Sequence, residues 1–414
     1  MTTPLSSTVS ACRVCGLAGI VPVLDLGRQP LANSLRRHRS EQLPTFPLVI
    51  CRCDGCGTIQ LSETVAPEIL FKHYVWVTGT SEGARRYSHL FCDRLRSRCV
   101  PGPLSVLEVA SNDGTFLKPF AEKGDRVLGV DPAQNIAAIA QQQGVSTEAE
   151  FFGHEVATRL VARDGLFNAV FARNVIPHVA DVNDVVAGIA HCLKPDGTGA
   201  IEFHRTDVIL RELHYDSIYH EHVCYHSLHS ISRLLQPFQL LPFDVETSPI
   251  SGGSFVVYFS RQPRPRTPAL IEAIREEEEL GIGQAAPWAE FARRCDRHRQ
   301  ALRGVVEMLK SDGKRLVGYG ASARSSTMLN YCGIDHRHLD VVIDRATLKH
   351  DTFTPGTDIP IVTPEQAFAL RPDAIVLLAW NFQDEILDQI RTEHRWQGQV
   401  VLPLPGDPRL IDFA

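Results

Sequence analysis

No apolar run in the 414 residues is long enough to cross a bilayer. The opening stretch, Met-Thr-Thr-Pro-Leu-Ser-Ser-Thr, carries neither the basic region nor the apolar region of a secretion signal. A cytoplasmic chain is therefore expected, with no membrane among its partners. Positive charge is also in deficit. With 42 Lys and Arg against 48 Asp and Glu, the net charge of −6 leaves no electrostatic footprint for nucleic acid. Internal repeats and low-complexity tracts are missing. The totals that remain, 44% hydrophobic and 22% charged residues, are globular values over a length that needs two or three domains.

Cysteine is modest in number but unevenly placed: of eleven, five (Cys12, Cys15, Cys51, Cys53 and Cys56) lie near the N-terminus. Without a secretion signal, such crowding favours metal over disulfides. Cys12-Arg-Val-Cys15 and Cys53-Asp-Gly-Cys56 are two C-x-x-C knuckles, each followed by glycine. Four thiolates at this spacing close a tetrahedral Zn²⁺ site and leave no open position for chemistry, so its role is structural. Cys51 is a spare ligand of poorer spacing, and a disulfide or redox pair is the rival reading.

The centre of the chain is organised around Ser105–Asp131. An apolar run (Val106, Leu107, Val109) meets a small-polar turn ending at Gly114, a helical segment follows, and a second apolar run stops on Asp131. That pattern is a βαβ unit of a doubly wound sheet. It lacks the G-x-G-x-x-G that cradles a dinucleotide phosphate, and Ala110 stands where a glycine would allow closest approach. Asp131 lies about 20 positions after the turn, where a carboxylate holds both hydroxyls of a ribose. Glu108 adds a carboxylate at the end of the first strand, which suits S-adenosylmethionine better than NAD. Asn112, Gly114 and Pro132 belong to the same expected cofactor site. Phe151, after a third strand, is placed for an adenine ring. Asn174 and His178 follow a fourth strand, at the sheet edge where ligands bind. His178 could equally cap a helix beginning near Asp181. An ordinary parallel core needing no ligand is the bland alternative.

Four histidines (His220, His222, His226, His229) and Glu221 fall within ten residues of Tyr219. The spacing is not H-E-x-x-H, which weakens a zinc-hydrolase reading and leaves a metal site or an acid/base cluster. Downstream, Pro249-Ile-Ser-Gly-Gly-Ser254 is a turn whose N–H groups could cradle a phosphate. Arg261–Pro268 reads as a linker, and Glu276–Glu279 reads as a solvated helix face. Gly318-Tyr-Gly320-Ala-Ser-Ala323, with Asp344 some 24 positions after Gly320, resembles a dinucleotide fingerprint, so a nicotinamide-dependent oxidoreductase is the rival function.

Taken together, the two knuckles, Glu108–Gly114, Ile218-Tyr-His-Glu-His222, Ser251-Gly-Gly-Ser254, Gly318–Ala323 and Leu378-Ala-Trp-Asn381 resemble the S-adenosylmethionine (SAM)-dependent C-methyltransferases that build branched-chain deoxysugars for antibiotics. The resemblance implies an α/β chain of three parts. They are a zinc-binding module (1–75), a Rossmann-like class I methyltransferase domain (76–262) and a Rossmann-like C-terminal domain enclosing the substrate (263–414). It implies a small-molecule substrate, a thymidine-diphosphate-linked 4-keto sugar methylated beside the ketone; another carbonyl acceptor is the alternative. His222 corresponds to the base. Tyr219 and Glu221 line its site, His178 is the loop histidine, and Tyr74 is an aromatic from the first module. Glu221 is expected to orient His222 or hold a sugar substituent. Tyr219, Tyr74 and His178 are expected to hydrogen-bond an enolate oxygen. Ser254, Gly320 and Arg324 are placed as substrate contacts near the diphosphate. Glu202-Phe-His204 departs from the family's Glu-x-Pro. No feature sets the oligomeric state, and a monomer satisfies the reading.

Overall fold

The computed structural model describes residues 5–71, 77–250 and 253–413. Tyr74 and Trp76 lie outside the described residues, as do Ser251 and Gly252 of the Gly-Gly turn. At the N-terminus β1 (Ser6–Thr8) pairs antiparallel with β5 (Glu63–Val65). Between them β2 (Ile20–Pro30), β3 (Thr45–Cys53) and β4 (Ile59–Leu61) form an antiparallel sheet. The knuckles sit at its end, Cys53 closing β3.

The chain then enters the central domain through the helix Glu82–Arg96. Ser81 caps it by accepting from the Ala84 N–H, and Ala84, Tyr87, Phe91 and Leu95 make its buried stripe. Five parallel strands follow: β6 (Ser105–Val109), β7 (Arg126–Val130), β8 (Thr147–Glu148), β9 (Phe167–Arg173) and β10 (Leu193–His204). Every residue of β6 is buried, as a parallel strand covered on both faces requires. β12 (Leu241–Ser248) and β13 (Ser254–Ser260) complete the sheet antiparallel, in the order β12-β13-β10-β9-β6-β7-β8. The order in which strands are added to the sheet reverses between β6 and β9, so the crevice at their carboxyl ends is the place for a ligand. There the backbone is bent hard: Ala110, Asn112 and Asn174 all take positive φ, at 54°, 51° and 52°. Ala110 thus adopts the left-handed conformation for which glycine is the unstrained residue. Gly114 has φ +78° and no room for a side chain, since a Cβ would lie 2.9 Å from Val145.

The C-terminal domain repeats the plan. Parallel strands β14 (Leu316–Tyr319), β15 (Val342–Ile343), β17 (Pro360–Val362), β18 (Ala374–Val376) and β19 (Gly398–Leu402) are flanked by antiparallel β16 (Thr352–Phe353) and β20 (Arg409–Phe413). Gly320 is required by packing, because a Cβ there would lie 2.3 Å from that of Ala379.

The three parts share cores. Leu24, Ile50 and Leu61 of the first sheet pack in one cluster with Tyr215, Trp288 and Val342. Cys12, Val14 and Cys53 join the cluster that holds Val182, Leu228 and Leu234 of the central domain. A short strand, β11 (Cys224–Tyr225), leaves the central domain altogether and pairs with β4 as the edge of the first sheet. Burial of so much shared apolar surface makes separate folding of the first module unfavourable.

One expectation on the helices is corrected. Glu277 is not on a solvated face: it is 3% exposed, and its carboxylate accepts from the N–H groups of Leu228 and His229 at 2.9 and 3.2 Å. It caps the helix Leu228–Leu235 from the neighbouring helix Pro268–Leu280. Burial pushes its pKa up to about 7 against these two hydrogen bonds, so the fold loses stability as the pH rises from the ordinary carboxyl value of 4.5 to about 7, and no further above that. Glu277→Gln is therefore expected to gain in Tm on the wild type between pH 5 and pH 8, read by thermal unfolding at both. Gly114→Ala is expected to lose about 2 kcal/mol or more in denaturant titration, from the left-handed backbone plus the Val145 overlap.

Candidate active site

A cavity of about 1970 Å³ opens along the carboxyl edge of the central sheet and is closed by the first module and the C-terminal domain. It exceeds the usual 300–1,000 Å³ of a single small-molecule pocket, so two ligands have room side by side. Ala110, Asn112, Asp131, Pro132, Phe151 and Asn174 line one end. The carboxylate of Asp131 accepts from the N–H groups of Asn112 at 2.8 Å and Ala133 at 2.9 Å, which fixes it at the rim of the turn. Burial raises its pKa and those two bonds oppose the rise. Asn112 Oδ1 accepts from the Thr78 N–H at 2.8 Å and Asp113 from that of Gly79 at 2.9 Å, clamping the Thr78–Thr80 turn over the cleft. Phe151 leaves 50% of its surface open on the wall.

Two expected cofactor contacts do not reach the cavity. Gly114 serves the packing of Val145, and Glu108 lies behind the wall, 3% exposed, with Oε2 lacking a hydrogen-bond partner. Burial raises its pKa well above the usual carboxylate range, while Arg173 opposes the rise. Arg173, which does line the cavity, is paired with Glu202 at 2.6 Å and stacks on Phe116. Arg173 and the two buried acids form a layer at the base of the cleft.

At the other end stand His178, Tyr219, Glu221 and His222. His222 Nδ1 lies 2.9 Å from the Ser217 carbonyl, so it carries the proton and donates. Nε2 is then the bare nitrogen, and it accepts from the Tyr219 hydroxyl at 2.8 Å. The His222 pKa is driven well below its ordinary value by burial first and by His178 second, whose ring centroid is 4.8 Å away. His178 donates from Nδ1 to the Glu221 carbonyl at 2.8 Å and, pushed down to about 4 by burial, is neutral. Its Nε2 therefore has no proton to give, and an enolate oxygen would find no donor there. Nor is it a helix cap, since Asp181 caps Val182–Cys192 by accepting from Asp184.

Glu221 does not orient His222; the Ser217 carbonyl does. Its own Oε1 accepts from Asn33 Nδ2 at 2.6 Å, a residue of the first module that no sequence motif marks. Burial pushes the Glu221 pKa up to about 7, and Asn33 opposes the rise. Of the remaining histidines, His220 faces the Phe46 and Pro47 carbonyls at 3.3 and 3.2 Å, His226 meets Ser230 at 3.3 Å, and His229 is exposed. They do not converge on a metal. Among the described residues the only metal-holding group is Cys12, Cys15, Cys53 and Cys56, whose sulfurs lie within 4.8 Å of one another. The Cys12–Cys56 and Cys15–Cys53 separations are both 3.6 Å, close to the edge of about 3.8 Å that a ZnS₄ tetrahedron with 2.3 Å bonds requires. The donor set thus fits zinc, and Cys51 stays outside it.

From the C-terminal domain Arg324 lines the cavity. Its Nε and Nη2 donate to Asp216 at 3.0 Å each, and Trp380 Nε1 donates to the same carboxylate at 2.8 Å. The Trp of Leu378-Ala-Trp-Asn381 therefore has a structural explanation. Ser254 is corrected as a ligand contact, because its hydroxyl is buried and donates to the Ile250 carbonyl at 3.1 Å. Gly320 likewise lies off the wall. Asp344, the acid of the dinucleotide-like turn, is taken by the Ala321 N–H at 2.9 Å and Lys349 at 3.0 Å. His204 also faces the cavity, with Nε2 unpartnered; only its place at a strand end signalled it.

A model of the C-methyltransferase C-terminal domain matches residues 249–405, a zinc binding domain matches 12–71, and a methyltransferase domain matches 84–241. Over 409 residues the chain is 34% identical to C-methyltransferase NovU of Streptomyces niveus, with 97% of each chain covered. It is 33% identical over 100 residues to the ubiquinone biosynthesis O-methyltransferase of Rhodopseudomonas palustris, covering 24% of this chain and 39% of that one. Among solved structures, the SAM-bound magnesium protoporphyrin IX methyltransferase of Synechocystis PCC 6803 is 15% identical. That match covers 44% of this chain and 80% of the other, with a TM-score of 0.34.

Glu221 is expected to titrate near 7 in a ¹³C-carboxyl NMR titration. Asn33→Ala removes the one hydrogen bond that favours the ionised form, so it should move the midpoint higher; a midpoint that falls or stays put contradicts this geometry.

Proposed function

The chain belongs to the SAM-dependent C-methyltransferases, and from that premise we propose that it methylates the carbon next to the ketone of a thymidine-diphosphate-linked 4-keto deoxysugar. The product is a branched-chain sugar, made in the cytoplasm for an antibiotic. The similarity to NovU along 97% of both chains supports the substrate class. The observation that carries the reading is His222, a half-buried neutral imidazole with its bare Nε2 toward a tyrosine hydroxyl on the cavity wall.

Asp131 would hold the ribose hydroxyls of SAM on the lone pairs its two backbone bonds leave open. Phe151 and Pro132 would cover the adenine, and Asn112 and Asn174 would bring their backbones close. The fit is supported by the half-open Phe151 ring and by the left-handed turn that presents Ala110 and Asn112 to the cavity. When bound, SAM supplies an electrophilic methyl group on a sulfonium sulfur.

A carbon beside a ketone becomes nucleophilic only when its proton leaves. His222 takes that proton on Nε2, and the charge it gains is shared with the Ser217 carbonyl through Nδ1–H. Burial keeps its imidazole neutral throughout the neutral range, so the lone pair is available without a prior deprotonation. The Tyr219 hydroxyl, which donates to Nε2 in the structure, passes its hydrogen bond to the ketone oxygen and stabilises the enolate as it forms. Tyr74 is a second donor in this reading. His178 and Glu221 accept hydrogen bonds from sugar hydroxyls, and Arg324 closes the substrate end, its guanidinium held flat by Asp216. Holding donor and acceptor in one walled cavity supplies the alignment that in-line transfer needs. A role as an NAD-dependent oxidoreductase is disfavoured at Asp344, whose carboxylate, unlike that of Asp131, is also paired with a lysine, Lys349, at 3.0 Å.

His222→Gln is expected to lower turnover by about 10²–10⁴-fold while S-adenosylhomocysteine binding is unchanged, read by coupled assay and calorimetry. Incubation of methyl-labelled SAM with a dTDP-4-keto deoxysugar should give a C-methylated product by mass spectrometry and NMR. Transfer only to a non-sugar ketone would replace the substrate class, and full turnover by His222→Gln would remove the base.

A further inference from the structure

The loop that carries His222 is bound to the zinc module as well as to the domain that holds the cofactor cleft. β11 extends the first sheet, with Cys224 opposite Gln60 and Tyr225 opposite Ile59. The Leu61 N–H donates to the Val223 carbonyl at 2.9 Å, directly after His222. Arg13, between the two cysteines of the first knuckle, lies beneath this junction and is only 9% exposed. Its Nη1 donates to the carbonyls of Leu61 at 2.6 Å and Val223 at 3.4 Å, and to Gln60 Oε1 at 3.2 Å. Its Nη2 donates to the Glu63 carbonyl at 3.2 Å and to the Thr64 hydroxyl at 2.7 Å. The Arg13 carbonyl accepts from Asn183 Nδ2 at 2.7 Å, at the start of the helix that follows His178. One residue of the knuckle thus bonds the residue next to His222 and the first turn of the helix after His178.

We propose that Arg13 is a positioning residue that sets the His222 loop against the cofactor cleft, so that the zinc knuckle governs turnover and leaves cofactor binding to the central sheet. Four thiolates hold the knuckle only while the metal draws them together; without it, the segment Cys12–Cys15 keeps only its apolar packing and the Arg13 bonds themselves to fix its shape. The guanidinium is a planar fork that reaches several carbonyls at once, and a lysine ammonium cannot copy it. The cofactor end of the cavity, by contrast, is built from β6, β7 and β9 and takes nothing from the knuckles. The effect on turnover rests on His222 being the base, whereas the hold on the loop does not.

The test uses the full-length enzyme with zinc bound. In Arg13→Met, zinc content stays at one per chain and S-adenosylhomocysteine affinity stays within a factor of about three. Amide hydrogen exchange rises about tenfold or more in the peptides covering 219–226 and is unchanged in those covering 105–131. Turnover falls about 10–100-fold, as for other residues that orient a site from behind, and Arg13→Lys recovers part of it. Stripping zinc from the wild type with a chelator reproduces the pattern and decides the matter if Arg13→Met does not fold. Unchanged exchange at 219–226, or loss of S-adenosylhomocysteine binding together with zinc, overturns the proposal. Loosening with full turnover overturns it too; if His222→Gln is then also active, the fault lies with the base and not with the hold of Arg13 on the loop.

Discussion

Everything at the site hangs on one loop, Tyr215–His226, and on its being held from three directions. Asp216, fully buried, takes Arg324 and Trp380 from the C-terminal domain. Glu221 takes Asn33 from the first module, and its carbonyl takes His178 from the central one. Ser217 and Tyr219, within the loop, set the two nitrogens of His222. A loop has little packing of its own, so its geometry is as good as its external bonds. Here those bonds come from every part of the chain, which explains why the parts share cores in place of flexible joints.

The price of enclosing such a loop is electrostatic. Buried imidazoles lose their charged form, and His178, His204, His214 and His222 are all held below their ordinary pKa by desolvation. Buried carboxyls move the other way, as Glu108, Glu221 and Glu277 do. The result is a set of neutral imidazoles around His222, in which proton acceptors and donors are distinguished by tautomer and not by charge. Arg173 reaches the wall from between Glu108 and Glu202, and the pairing with Glu202 holds its charge at the base of the cleft.

Backbone strain is concentrated at the other end. Left-handed Ala110, Asn112 and Asn174 surround the crevice between β6 and β9. Side-chain residues hold such conformations at some cost, and they persist only where surrounding bonds over-determine them. Asp131 bonding Asn112, and Asn112 bonding Thr78, supply that restraint.

Local pattern alone marked a good deal: the two knuckles, the two βαβ units with their acids at Asp131 and Asp344, and the run that brings Tyr219, Glu221 and His222 to one cavity. Period, spacing and residue type survive in one dimension because the interactions they report span few residues. Other features became legible only in three dimensions. Glu277, set in a run of charges, caps a helix 49 positions away, and Asn33 meets Glu221 across 188 positions. Nothing in a sequence marks such partners, since a hydrogen bond between distant segments leaves no periodicity. Tautomer is of the same kind: whether a histidine can give a proton or only receive one depends on which carbonyl folds against its Nδ1, and for His178 and His222 the folded chain made that choice.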